Sequence, residues 1–158
     1  MSEALAPAAA RVQELLRAAG STAVVKQFPV TARTAADAAA AIGCTVAQIA
    51  KSLVFRAASG RPVVVIASGV NRVDEKKIAV ALGQAIGKAD AEFVRASTGY
   101  AIGGVAPIGH ATPPVIFIDE DLRRHEIIWA AAGHPHAVFP LSPAELERLT
   151  GGKVMTVK

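Results

Sequence analysis

The chain has 158 residues, 52% of them hydrophobic and 19% charged, which is enough to bury a core without disulfides or metal. Seventeen Lys and Arg against thirteen Asp and Glu leave a net charge of +4, compatible with a polyanionic partner but too dispersed to define one. The single cysteine, Cys44, excludes an internal disulfide and suits a reducing cytoplasm. The N-terminus carries Glu3 and no basic lead into an apolar core, unlike a secretory signal, and the longest apolar runs, such as Val63 to Ala67, fall far short of the ~20 residues of a membrane helix. The expectation is one domain, 1–158, cytoplasmic and with no membrane partner.

From Ala8 to Ala19, Val12, Leu15, Leu16 and Ala19 recur at helical spacing and Gly20 stands as a stop, predicting an amphipathic helix. Thr22 to Phe28 reads as a strand ended by Pro29. Thr34 with Asp37 opens an alanine-rich helix closed by Gly43. Thr45 followed by Gln48 is a capping-box pair, so a short helix is predicted from Val46. Leu53-Val54-Phe55, rich in β-formers and followed by Ser59-Gly60, turns that helix into a strand, Ser52 to Ala57. Lys51 falls at the junction, a charge between two apolar segments. Pro62 to Ala67 completes a hairpin, and Val63 to Ile66, apolar on both faces, is expected at the centre of a sheet.

Asn71 to Leu82 reads as a helix with acids in its first turn, and Glu92-Phe93-Val94 as a short strand. A glycine-rich segment follows, Ser97-Thr98-Gly99-Tyr100-Ala101-Ile102-Gly103-Gly104-Val105-Ala106-Pro107-Ile108-Gly109-His110. Val115 to Asp119 and Glu126 to Ala131 are predicted strands joined by a charged turn. Gly133 to His136 is a loop and Val138-Phe139 a brief strand. Ser142-Pro143 opens a helix that Gly151 ends, and Val154 to Val157 is the last strand. Six to seven strands among four or five helices, many joined by hairpins, give an α+β fold with a mainly antiparallel or mixed, barrel-like sheet surrounded by helices.

Single residues carry weak chemistry here. Lys51 taken alone reads as a solvated lysine at a helix end, where cations are favoured. The glycine-rich segment lacks the Lys-Ser/Thr ending of a phosphate loop and the spacing of a dinucleotide fingerprint. His134 and His136 have no third ligand nearby, so no metal is expected. Cys44 directly precedes a capped helix and reads as structural. There is no nucleophile elbow and no histidine–acid pair.

Three ordered segments taken together are more specific: Gln48-Ile49-Ala50-Lys51-Ser52-Leu53-Val54-Phe55, Val73-Asp74-Glu75-Lys76-Lys77-Ile78-Ala79, and Ser97 to Gly109. They resemble the YbaK/prolyl-tRNA synthetase-associated editing domain family from roughly Thr22 to the C-terminus, with residues 1–20 the less diagnostic part. The resemblance implies a free-standing, trans-acting aminoacyl-tRNA deacylase. By similarity, Lys51 is the family's characteristic lysine and binds near the tRNA 3′ end, and the Gly-x-x-x-Pro loop is Gly103 to Pro107, whose backbone positions the terminal ribose and ester. Ser52 stands where family members often have a small hydroxyl residue.

The resemblance further implies a substrate-facing set of Ser52, Gly104, Ala131, Gly133, His134 and Val138, with no cofactor. The implied partners are mischarged tRNA and prolyl-tRNA synthetase. Cysteine-directed relatives are expected to carry a serine and an acid near the strand and loop that read Ala131 and Val138 here, so alanine or 2-aminobutyrate suits this apolar lining better. The absent triad agrees with such a reaction. An aminoacyl ester is already activated, and positioning of ester, water and vicinal ribose hydroxyl can supply effective molarities of about 10⁵ to 10⁸ M. Two other classes stay open: a tRNA-end or synthetase-binding module without turnover, and a hydrolase of another small ester.

Overall fold

The capping residues Thr34, Thr45 and Ser142 read from sequence each open a helical turn in the computed structural model, which describes residues 5–28 and 34–158. Helix α1 (Pro7–Ala18) begins with proline in its first turn and buries Ala9, Val12 and Leu16. The predicted strand 22–28 narrows to β1 (Lys26–Gln27), and Pro29 lies outside the described residues. Gln13 of α1 takes the place of a neighbouring strand there: its Nε2 donates to Ala23 O at 3.0 Å and its Oε1 accepts Val25 N–H at 2.8 Å.

Thr34 and Asp37 form the reciprocal capping box of α2 (Ala35–Ile42), which Gly43 ends at φ 87°. Thr45 and Gln48 make the second box, Thr45 N–H donating to Gln48 Oε1 at 2.9 Å. The predicted helix is only one 3-10 turn, Val46–Gln48, because β2 (Ile49–Ala57) starts immediately after it. Lys51 is therefore the third residue of a nine-residue strand. The hairpin to β3 (Pro62–Ser68) has the expected register, with Lys51 opposite Ala67 and Ser52 opposite Ile66.

The helix expected over 71–82 begins later, as α3 (Glu75–Leu82). Asp74 is its N-cap, while Asn71 Nδ2 is held by Asp119 Oδ2 and Asp121 Oδ2, each at 2.8 Å. Strand β4 (Ile86–Lys88) was not anticipated; three residues carry too little pattern. Glu92-Phe93-Val94 is not a strand. It lies in the first turn of α4 (Ala91–Thr98), where Asp90 Oδ1 accepts Phe93 N–H at 2.7 Å and commits the segment to helix.

Strand β5 (Val115–Asp119) runs into a 3-10 turn, Glu120–Arg124, capped by Asp119. Strands β6 (Ile128–Ala131) and β7 (Ala137–Leu141) follow, then α5 (Pro143–Thr150), N-capped by Ser142. The chain's last strand is β8 (Lys153–Met155); Val157 has left the sheet, its carbonyl accepting Asp74 N–H at 2.7 Å.

The strands form one mixed eight-stranded sheet in the order β1-β7-β6-β2-β3-β5-β8, with β4 also on β2. The β1–β7, β7–β6, β2–β3 and β2–β4 pairs are antiparallel; β6–β2, β3–β5 and β5–β8 are parallel. β3 is central and buried on both faces. Val64 and Ile66 join a core with α1, α4 and α5, while Val63, Val65 and Ala67 join another with Ile78 of α3.

One feature of this topology positions the site. On the edge of β2 away from β3, β6 covers Ile49 and Ala50 and β4 begins at Phe55. Between them, Lys51 to Val54 face no strand on that edge among the described residues.

Candidate functional site

A cleft of about 730 Å³ opens on this gap in β2. Its floor is Lys51, Ser52, Leu53 and Val54, one wall comes from Trp129, Ala131 and Val138 of β6 and β7, and the opposite wall includes Val94, Ile102, Gly103 and Val105. The cleft is largely apolar, and no Asp or Glu lines it among the described residues. Among the described residues its charged lining is Lys51 and Lys88, so it favours an anionic or oxygen-rich ligand.

Neighbouring residues of a strand leave opposite faces. Ser52 and Val54 belong to the face of the α1 core and Lys51 and Phe55 to that of the α3 core. Both Lys51 and Ser52 reach the cleft because it crosses an open strand edge rather than a sheet face. Lys51 is half-buried, with no hydrogen-bond or ion-pair partner among the described residues. A side chain that gives up part of its hydration without a counter-charge has unused binding capacity. Ser52 Oγ is likewise buried without a partner.

The glycine loop supplies backbone to the rim. Gly104 N–H donates to Ala101 O at 3.0 Å, closing a turn in which Gly103 has φ 89°, a conformation that favours glycine. Gly103 and Ile102 are exposed at the cleft mouth, Ile102 at 59%. Gly104 lies behind them: a Cβ there would stand 2.9 Å from His134 Cα and C, so this loop rests directly on the 133–136 loop.

Pro107 is buried, away from the cleft lining. Around it, Tyr100 O–H donates to Ile108 O at 2.7 Å and His110 Nε2 donates to Ala106 O at 2.8 Å. Burial pushes the His110 imidazole below its usual pKa despite the bond to Ala106, which favours the charged form.

The structure therefore gathers Lys51, Ser52, Gly103, Ala131 and Val138 on one cleft and sets Gly104, Pro107, Gly133 and His134 behind it. Ala131 and Val138 are cross-strand partners, so together they form one apolar patch of wall. Gly133 packs on α1, where a Cβ would meet Ala8 O at 2.9 Å. His134 Nδ1 accepts His136 N–H at 3.1 Å, and the two rings are 5.5 Å apart. Among the described residues no group of three or more His, Cys, Asp or Glu is placed to hold a metal. Cys44 does not line the cleft, and burial raises its thiol pKa, keeping it protonated.

Sequence reading missed the role of α1. Arg11 donates to Gly109 O at 3.0 Å and lies 5.8 Å from the Tyr100 ring centre, and Leu15 abuts Gly109. The opening helix thus braces the glycine loop and the 133–136 loop together. No local signal announces this, since the contacts join residues almost a hundred positions apart.

The profile of the aminoacyl-tRNA editing domain matches residues 30–149. The chain belongs to that family. This editing domain is 32% identical over 130 residues to the uncharacterized protein YwhH of Bacillus subtilis, covering 82% of this chain and 83% of that one. It is 29% identical over 121 residues to EbsC of Enterococcus faecalis, described as a "putative Cys-tRNA(Pro)/Cys-tRNA(Cys) deacylase", covering 76% and 74%. A crystal structure described as "a putative trans-editing enzyme for prolyl tRNA synthetase" superposes with a TM-score of 0.94 at 44% identity, over 98% of this chain and 99% of that one. The α+β fold expected from sequence is thus that of the editing domain. No helix among the described residues is long and apolar enough to cross a membrane.

Proposed function

We propose that this editing domain hydrolyses the ester of tRNA(Pro) mischarged with a small apolar amino acid, alanine or 2-aminobutyrate, acting in trans. The supporting observation is the cleft itself: among the described residues, a half-buried Lys51 without an ion-pair partner and the exposed Gly103 turn border one apolar cavity whose lining holds no carboxylate. Lys51 holds the 3′-terminal phosphate or the ester oxygen, and the Gly103 backbone holds the ribose. Water adds to the ester carbonyl carbon, the carbon–ribose oxygen bond breaks, and the ribose oxygen leaves with a proton that the vicinal hydroxyl relays. The products are the free amino acid and uncharged tRNA.

The need for such a reaction follows from binding limits. A synthetase pocket discriminates one methylene by only about 1 to 3 kcal/mol, so a second cavity must clear the errors. The Ala131–Val138 wall offers no polar side chain to a thiol or hydroxyl, which favours alanine and 2-aminobutyrate over cysteine and serine.

The test is a panel of tRNA(Pro) charged with alanine, 2-aminobutyrate, cysteine, serine or proline, with remaining ester measured over time, with and without prolyl-tRNA synthetase. Clearance of alanine and 2-aminobutyrate, with proline spared, is the expected result. Tight tRNA binding with every ester decaying at the buffer rate would replace the reading with a binding module. Cleavage of free small esters as fast as charged tRNA would remove the tRNA from it.

A further inference from the structure

The gap in β2 has a chemistry of its own. Gly69 N–H donates to Ile49 O at 2.8 Å and Ala57 N–H to Arg61 O at 2.9 Å at the two ends of the β2–β3 ladder. In an antiparallel pair such bonds fall on alternate residues, so Ile49, Lys51, Leu53, Phe55 and Ala57 direct N–H and C=O at β3. The even-numbered residues direct theirs to the other edge. Ala50 meets β6 there and Arg56 meets Gly87 of β4, but Ser52 faces the cleft with no strand registered against it among the described residues. The same residue carries the buried, unpartnered Oγ.

From this juxtaposition we infer that Ser52 captures the aminoacyl group as if it were a one-residue strand. The α-ammonium donates to Ser52 C=O and the ester carbonyl oxygen accepts Ser52 N–H. An aminoacyl ester places a donor nitrogen and an acceptor carbonyl on either side of one Cα, the arrangement a single residue presents in a hydrogen-bonded antiparallel pair. The carbonyl oxygen gains charge as water adds, so the Ser52 N–H strengthens its bond as the reaction proceeds. Among the described residues no carboxylate in the cleft lining competes for the ammonium. The subsite rests on the proposed deacylase reading and assigns it a requirement: the substrate must carry an α-amino group.

The experiment compares alanyl-tRNA(Pro) with propionyl-tRNA(Pro), which lacks only the amino group, each rate with protein divided by its rate in buffer. The expected acceleration of the propionyl ester is lower by about tenfold or more, the loss of one charge-assisted hydrogen bond. In parallel, the ¹⁵N-labelled protein is titrated with the alanyl amide of 3′-amino-3′-deoxyadenosine, which is not hydrolysed. The Ser52 amide proton is expected to move downfield and exchange more slowly. Equal accelerations of the two esters overturn the subsite while leaving the deacylase standing. Saturable binding that leaves the Ser52 amide unmoved, or no binding of the analogue, overturns it also. If neither ester is accelerated, the deacylase reading falls first and takes the subsite with it.

Discussion

Substituting Gly104 by alanine adds one methyl group where two loops touch. The new Cβ would lie 2.9 Å from His134 Cα and C and 3.0 Å from its N, against about 3.4 Å for ordinary contact. Every one of those neighbours is backbone, so no side-chain tip can swing aside and the loops must part by about 0.5 Å. Overpacking of this kind costs about 1 to 3 kcal/mol, and each kcal/mol lowers the melting temperature by roughly 2 to 4 °C in a chain of this size.

Gly103 moves with Gly104, so the rim that positions the ester is displaced as well. A 1 Å misplacement costs ~10²-fold in rate, which puts the expected loss near tenfold. Thermal denaturation and single-turnover deacylation of alanyl-tRNA(Pro) read the two effects. Gly87→Ala is the control: its Cβ would meet nothing within 4 Å, and it should leave stability unchanged or higher by about 0.4 to 1 kcal/mol. A Gly104→Ala protein that melts and turns over like the wild type would refute the loop-on-loop account. Lower stability with an unchanged rate would uncouple the contact from the cleft.

Three further outcomes follow from named contacts. Ser52→Ala removes a buried hydroxyl that has no partner among the described residues, a group that costs about 1 to 3 kcal/mol to bury, so the variant should melt higher; a lower melting temperature would show that the hydroxyl is bonded in solution. Arg11→Ala loses the bond to Gly109 O, worth about 1 kcal/mol at an exposed site, and should slow deacylation by roughly fivefold although Arg11 touches no substrate; an unchanged rate would separate α1 from the site. His110 has a folded pKa below its unfolded value, chiefly through burial. Its contribution is complete above about pH 6.5 and is lost as pH falls from there through the lower folded value. His110→Gln should flatten that acid-side decline in melting temperature, and a variant as acid-sensitive as wild type would assign the decline to other groups.

The parts of this fold that were legible in sequence are those governed by neighbours in the chain. Thr34 with Asp37, Thr45 with Gln48, and Ser142 with Pro143 announce helix starts because each cap is closed within three residues. Val63 to Ile66 announce a central strand because both faces need cover. Where length or long-range pairing decides, the pattern was silent or misleading. Phe93-Val94 is too short to distinguish strand from helix until Asp90 caps it, and β4 exists only because β2 has a free edge at Phe55 to Ala57.

The site divides along the same line. Lys51, Ser52 and the glycine loop stand out by type and order, but only the tertiary structure shows that Gly104 supports His134, that Pro107 is buried, and that Arg11 reaches Gly109. The gap opposite Ser52 is a property of register, set by where β6 stops and β4 starts.

The central claim is that Lys51 acts on the charged end of a tRNA. Lys51→Ala removes a cation without an ion-pair partner among the described residues, so the melting temperature should stay within about 2 °C of wild type. Single-turnover hydrolysis of alanyl-tRNA(Pro) by this variant should fall by about 10²-fold, the effect of losing one group that stabilises the developing oxyanion. A folded Lys51→Ala protein that clears the ester at the wild-type rate would contradict the account.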